Sequence, residues 1–130
     1  VKVALVACCS KKLDHPAAAE DLYRSPLFRL SAAQAKRFGN WAILSAKHGL
    51  VMPKRVLAPY DTALSDMSPR ERAAWAERTR SQIVAAWPAA EFVVFAGALY
   101  RTALEGLDYS DPLAGLGIGR RLKALKSWTG

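Results

Sequence analysis

The segment Ser45-Ala46-Lys47-His48-Gly49 places a cation and an imidazole beside a glycine hinge. Further along, Pro59-Tyr60-Asp61 adds an aromatic ring and a carboxylate. A lysine next to His48 favours the neutral imidazole, which can hydrogen-bond a base or a sugar. Tyr60 can stack on a nucleobase, and Asp61 can activate water or steady developing positive charge. Near the start, Cys9-Ser10-Lys11-Lys12 combines backbone N–H groups, a hydroxyl and ammonium groups, a set that suits phosphate or carboxylate. It is not a P-loop, because the G-x-x-x-x-G-K-S/T spacing is absent. Gly97, Tyr100 and Arg101 form a third polar group. In the turn Ala114-Gly115-Leu116-Gly117-Ile118-Gly119, Gly117 and Gly119 would let backbone approach a ligand. Arg120, Arg121, Lys123 and Lys126 follow and would attract anionic groups. Plainer roles compete: His48 as a solvated loop residue, Tyr60 as a loop anchor, Asp61 as a loop cap, the glycines as a connector.

These groups follow apolar runs, and the runs predict what positions them. Residues 2–8 read as a first strand, Trp41 to Ala46 as a second and Phe92 to Ala96 as a third. Between them lie amphipathic stretches. Ser25-Pro26 predicts a cap and a first helical proline, with Leu27, Leu30, Ala33 or Gln34, and Phe38 as the buried stripe and Gly39 as the stop. Ser68-Pro69-Arg70-Glu71 is a capping box, opening a helix to about Trp87 with a stripe of Trp75, Ile83, Ala86 and Trp87. Gly97 opens a short helix to about Leu104, and a basic helix covers about Arg120 to Trp128. Residues 47–67, with Pro53 and Pro59, read as one long functional loop. The alternation predicts a single α/β domain over residues 1–130. It would hold a small, mostly parallel, Rossmann-like sheet of three to four strands flanked by helices. Ligands of such sheets bind beyond the carboxyl ends of the strands, where Ser10, Lys11, Ser45, Lys47, His48, Gly97, Tyr100 and Arg101 would converge.

Composition bounds the possibilities. With 130 residues, 52% apolar and 23% charged, the chain has enough apolar surface to form a core and is not a disordered tail. No apolar run approaches the roughly 20 residues of a membrane span. The apolar N-terminus reads as a buried strand, not a signal peptide. Nineteen Lys+Arg against 11 Asp+Glu leave a net charge of +8, which fits a polyanionic partner. The two cysteines, Cys8 and Cys9, are adjacent; neighbours on a strand face opposite ways, so they read as small buried groups in a reducing cytoplasm. His15 and His48 are far apart and no C-x-x-C or H-x-x-x-H spacing occurs, so neither a metal nor another cofactor is expected.

The stretches Cys9-Ser10-Lys11-Lys12, Leu22-Tyr23-Arg24-Ser25-Pro26-Leu27-Phe28 and Leu44-Ser45-Ala46-Lys47-His48-Gly49-Leu50 resemble small bacterial and phage domains of unknown function. Those domains carry C-S-K-K, L-Y-x-S-x-L-F and L-S-A-K-H-G-L motifs. Gly97-Ala98-Leu99-Tyr100-Arg101 and Gly115-Leu116-Gly117-Ile118-Gly119 look like that group too. A more distant similarity is to the YaaA peroxide-stress family of DNA-binding proteins. Lys11, Leu13, Asp14, Leu44, Ser45, Gly49, Pro53, Pro59 and Tyr60 match its spacing, whereas Lys47, His48 and Asp61 depart from it. Related domains accompany tRNA-guanine transglycosylase-type enzymes and base-modification systems, so the resemblance implies a nucleobase substrate in nucleic acid.

The expected function is therefore a DNA glycosylase-like enzyme acting on a damaged or modified base. Ser10, Lys11 and Arg101 would hold phosphates, with Ser45, Gly97 and Tyr100 completing the substrate site. Tyr60 would stack on the base, Asp61 would orient water or stabilise the sugar cation, and His48 would hydrogen-bond the departing base. Lys47 would be the nucleophile if the strand is also cut. Lys12, Gly117, Gly119, Arg120, Arg121 and Lys123 would meet the nucleic acid. The alternatives are a non-catalytic nucleic-acid-binding module and an enzyme of free nucleosides or nucleotides.

Overall fold

The computed structural model describes residues 1–114 and 116–129. Its elements run β1 (Lys2–Ala7), β2 (Ala17–Ala18), α1 (Ala19–Leu22), α2 (Pro26–Ala35), β3 (Asn40–Ser45), β4 (Gly49–Val51) and β5 (Val56–Leu57). They continue with α3 (Pro69–Ala86), β6 (Glu91–Phe95), α4 (Ala98–Arg101), β7 (Tyr109–Ser110) and α5 (Ile118–Thr129). The three foreseen strands are the centre of a five-stranded sheet ordered β4-β3-β1-β6-β7. β1 runs parallel to β3 and β6, β7 runs parallel to β6, and β4 is antiparallel at the edge of β3. No helix among the described residues is long and apolar enough to cross a membrane.

Alternation along β1 divides the core between two faces. Val3 and Leu5 pack with Leu44, Trp75, Ile83, Val94 and Leu104 on the α3 side. Ala4 and Val6 pack with Phe28, Ala32, Ile43, Phe95, Leu113 and Leu125 on the side of α2 and α5. Helices therefore cover both faces, as a mainly parallel Rossmann-like sheet requires.

Both expected helix starts form. The Ser25 hydroxyl accepts from the Phe28 N–H with Pro26 opening α2. Ser68 and Glu71 close a reciprocal capping box at α3.

Three expectations change. The buried face of α2 is Phe28, Ser31, Ala32, Gln34 and Ala35, so Gln34 of the expected stripe is buried, while Leu27 and Leu30 are half-buried and Ala33 and Phe38 exposed. Small alanines let the helix lie close to β1, and its last residues tighten into a 3-10 turn, Lys36–Phe38. α3 buries Trp75, Ala76, Thr79 and Ile83, while Ala86 is exposed and Trp87, the C-cap, half-buried. Residues 47–67 are not one loop. They contain β4, β5 and a 3-10 turn at Leu64–Asp66, and β5 pairs with β2 to pin the segment across the molecule.

Gly49 is not a hinge. It is buried at φ 73°, opposite Ser45 in the β3–β4 hairpin. A Cβ there would collide with Gln82 Oε1 and stand 3.1 Å from Thr79 Oγ1. The same Gln82 oxygen accepts from the Leu50 N–H at 2.8 Å, fastening the hairpin to α3.

Candidate functional site

The last rungs of the central ladders pair Ala7 with Leu44 and Val6 with Phe95. Cys8, Ser45 and Ala96 come next, so three loops leave from one end of the sheet. The first strand ends at Ala7, one residue before the expected end, which frees Cys8 and Cys9 from strict alternation. Both are half-buried free thiols lining the same cavity, not two core groups facing opposite ways.

Ser45 is the hub of this rim. It is completely buried, and its Oγ accepts from the Lys47 N–H at 3.2 Å and the His48 N–H at 3.0 Å. With both lone pairs engaged, its hydroxyl donates to the Tyr60 oxygen at 2.6 Å. The Tyr60 hydroxyl in turn donates to the Tyr23 oxygen at 2.5 Å. The Trp75 indole N–H donates to the Ser45 carbonyl at 2.9 Å, tying the hub to α3. Burial pushes the Tyr23 phenol up to about 12. Burial first, and the nearby Cys8 second, also raise Tyr60 and Tyr100. All three rings are neutral phenols.

The surroundings of Tyr60 are cationic. The Lys12 ammonium stands 4.3 Å from its ring centroid and that of Lys47 5.9 Å. His48 meets the ring edge-on, centroids 5.4 Å apart. Burial holds the imidazole below its ordinary value, helped by Arg55 and then Lys47. The neutral form expected for His48 thus has desolvation as its main cause, with the neighbouring lysine third.

Two hollows open at the rim. One is a groove of about 460 Å³ lined by Ser10, Lys12, Leu13, Pro59, Tyr60 and Asp61. The other is a cavity of about 180 Å³ among Cys8, Cys9, Phe28, Gly97, Tyr100 and Arg121, walled by β1, α2, β6 and α5. The Cys8 sulfur lies 3.3 Å from the Tyr100 oxygen, and the Arg121 Nε donates to the Leu116 carbonyl at 2.8 Å.

A family model described as a family of unknown function, DUF6884, matches residues 3–127, a span that takes in both hollows. The chain belongs to DUF6884. An uncharacterized protein of Bacillus subtilis strain 168, YfjM, is 30% identical over 138 residues, covering 95% of this chain and 92% of its own. No solved structure matches.

In this DUF6884 chain the residues singled out by sequence fall into distinct places. Ser10, Lys12, Tyr60 and Asp61 share the groove, with Lys47 and His48 around Tyr60. Gly97, Tyr100 and Arg121 share the cavity. Ser45 lies beneath the groove as a positioning residue, shielded from any ligand. Arg101 is engaged elsewhere: it pairs with Asp111 at 2.9 Å and donates to the Ala96 carbonyl at 2.8 Å, bracing the turn after β6. Lys11 is exposed and lines neither hollow; its carbonyl accepts from the Arg24 N–H and the Cys9 thiol. Arg120 and Lys123 are exposed on α5. Gly117 precedes α5 and its carbonyl accepts from the Arg121 N–H, while Gly119 lies in the first helical turn. Gly115 is outside the described residues.

Sequence reasoning missed Tyr23, Phe28 and Ser31 as parts of the rim. Tyr23 and Phe28 both stand in the Leu22-Tyr23-Arg24-Ser25-Pro26-Leu27-Phe28 motif, which was the available signal. Among the described residues no group of three or more His, Cys, Asp and Glu gathers as a metal site.

Proposed function

We propose that this domain is a nucleobase-processing enzyme that hydrolyses the N-glycosidic bond of a damaged or modified nucleotide in DNA. The observation that carries the reading is the groove. The exposed Asp61 carboxylate shares it with Ser10 and Lys12, beside the neutral His48 and the fixed phenol of Tyr60. The similarity of the rim motifs to a DNA-binding family and the net charge of +8 support DNA as the partner.

Glycoside cleavage passes through a sugar with oxocarbenium character, so a nearby carboxylate stabilises the transition state and can take a proton from water. Asp61 has that role. The water oxygen bonds to the anomeric carbon, its proton passes to Asp61, and the C–N bonding pair leaves with the base, which is protonated from solvent. Ser10 and Lys12 hold the flanking phosphate by hydrogen bond and charge. His48, neutral, hydrogen-bonds the reacting nucleotide without adding charge that would oppose the sugar cation. With the Lys12 ammonium over its ring, Tyr60 acts as a platform for that lysine.

The exposed Arg120 and Lys123 of α5 favour a second reading, a binding module without catalysis. Incubation with DNA carrying a panel of damaged and modified bases separates the two. Abasic sites in one or a few substrates support the enzyme. Salt-dependent affinity with no base released supports the module, and turnover of free nucleosides without DNA binding excludes both.

A further inference from the structure

The cavity of about 180 Å³ is built differently from the groove next to it. Phe28, Phe95 and Leu113, each no more than 5% exposed, supply apolar walls. Of the polar groups, the guanidinium can only donate, and the hydroxyls can donate or accept. The Tyr100 phenol is held beside Cys8, the Ser31 hydroxyl is on a residue only 2% exposed, and the Arg121 guanidinium is oriented by the Leu116 carbonyl. Among the described residues no carboxylate lines the cavity. A phosphate would need more charge than one arginine, and a plain hydrocarbon would leave the donors unused. A flat ring edged with carbonyl oxygens uses both the walls and the donors. Size restricts it further, because an apolar cavity of about 150 Å³ holds one benzene ring. The volume matches one substituted six-membered ring better than a fused purine.

We propose that this cavity is the seat of a pyrimidine base of the 2,4-dione type, such as uracil, thymine or an oxidised relative. The inference rests on the glycosidase reading for its connection to catalysis and names the base that reading leaves open. Cys9 lines the cavity and Ser10, the next residue, lines the groove. A nucleotide with its base in the cavity therefore lays its sugar across the Cys9–Ser10 ridge and its phosphate toward Lys12. When the C–N bond breaks, the pair of electrons departs on the ring nitrogen and spreads to the carbonyl oxygens. Arg121 and the Tyr100 hydroxyl stabilise that anion until solvent protonates it.

Gly97 provides the test. Gly97 lines the cavity, its φ of −74° accepts any side chain, and a Cβ there meets no atom within 4 Å, so Gly97→Leu adds bulk beside the cavity without straining the backbone. Calorimetric titration of the intact chain with uracil, thymine, cytosine, adenine and guanine reads the selectivity. Uracil and thymine bind best, Gly97→Leu weakens them by at least about tenfold at unchanged melting temperature, and Tyr100→Phe weakens them by roughly three- to tenfold. Equal or tighter binding of adenine or guanine, or no dependence on Gly97 and Tyr100, overturns the seat. Base release from DNA that persists in Gly97→Leu overturns the seat and leaves the glycosidase reading standing. Dione binding abolished by Gly97→Leu, in a protein that releases no base from any DNA, upholds the seat and removes that reading.

Discussion

Ser45 organises the rim although it touches no solvent. Its hydroxyl oxygen accepts from the Lys47 and His48 amides and its hydroxyl sets the orientation of Tyr60, and Tyr60 in turn carries Lys12 over its ring. Two consequences can be measured. Since Tyr23, Tyr60 and Tyr100 all have raised phenol values, alkaline absorbance titration should leave three of the four tyrosines un-ionised as the pH climbs from 10 towards about 12 in the folded protein. Ionisation of all four together near 10 would show that the network is open to water. His48 gives the acid-side counterpart. Its folded value lies below the ordinary 6.5, so below that pH the unfolded chain binds more protons than the native one. The stability it contributes is full above 6.5 and is lost as pH falls through the depressed folded value. His48→Gln should therefore flatten the decline of melting temperature on the acid side of 6.5, and an unchanged slope would place the decline in other groups.

At the scale of elements, the β3–β4 hairpin is the most constrained piece of the site. Gly49→Ala adds left-handed strain and pushes the Gln82 oxygen off the Leu50 N–H, so it should cost about 1–3 kcal/mol in denaturant unfolding. A loss below about half a kcal/mol would mean that the hairpin relaxes freely. The starts of α2 and α3 were legible in the sequence because Ser25-Pro26 and Ser68-Pro69-Arg70-Glu71 satisfy their hydrogen bonds within a few residues. β4 and β5 were not. They hold three and two residues, too few for a period, and exist because β3 and β2 offer them partners. The candidate site divides in the same way. Ser10, Ser45 and Gly97 were legible as rim residues because each follows an apolar run. The cavity was hidden because its walls come from β1, α2, β6 and α5, distant in sequence and brought together only by packing.

For the whole molecule, net charge and catalysis make separate contributions. Arg120 and Lys123 are exposed on α5, outside both hollows, and under the proposed function they would supply long-range attraction for DNA. Replacing both with glutamine should weaken DNA binding alike for every sequence and reduce the salt slope by up to about two units. An unchanged slope would mean that α5 faces away from the nucleic acid. The groove carries the central claim, and Asp61→Asn examines it with almost no change of shape. The direct measurement is single-turnover base release from the DNA substrate cleaved by the parent protein, with affinity for that DNA recorded alongside. The proposed chemistry predicts a rate lower by about 10²–10⁴ with affinity maintained. Release at the parent rate would contradict it and take Asp61 out of the mechanism.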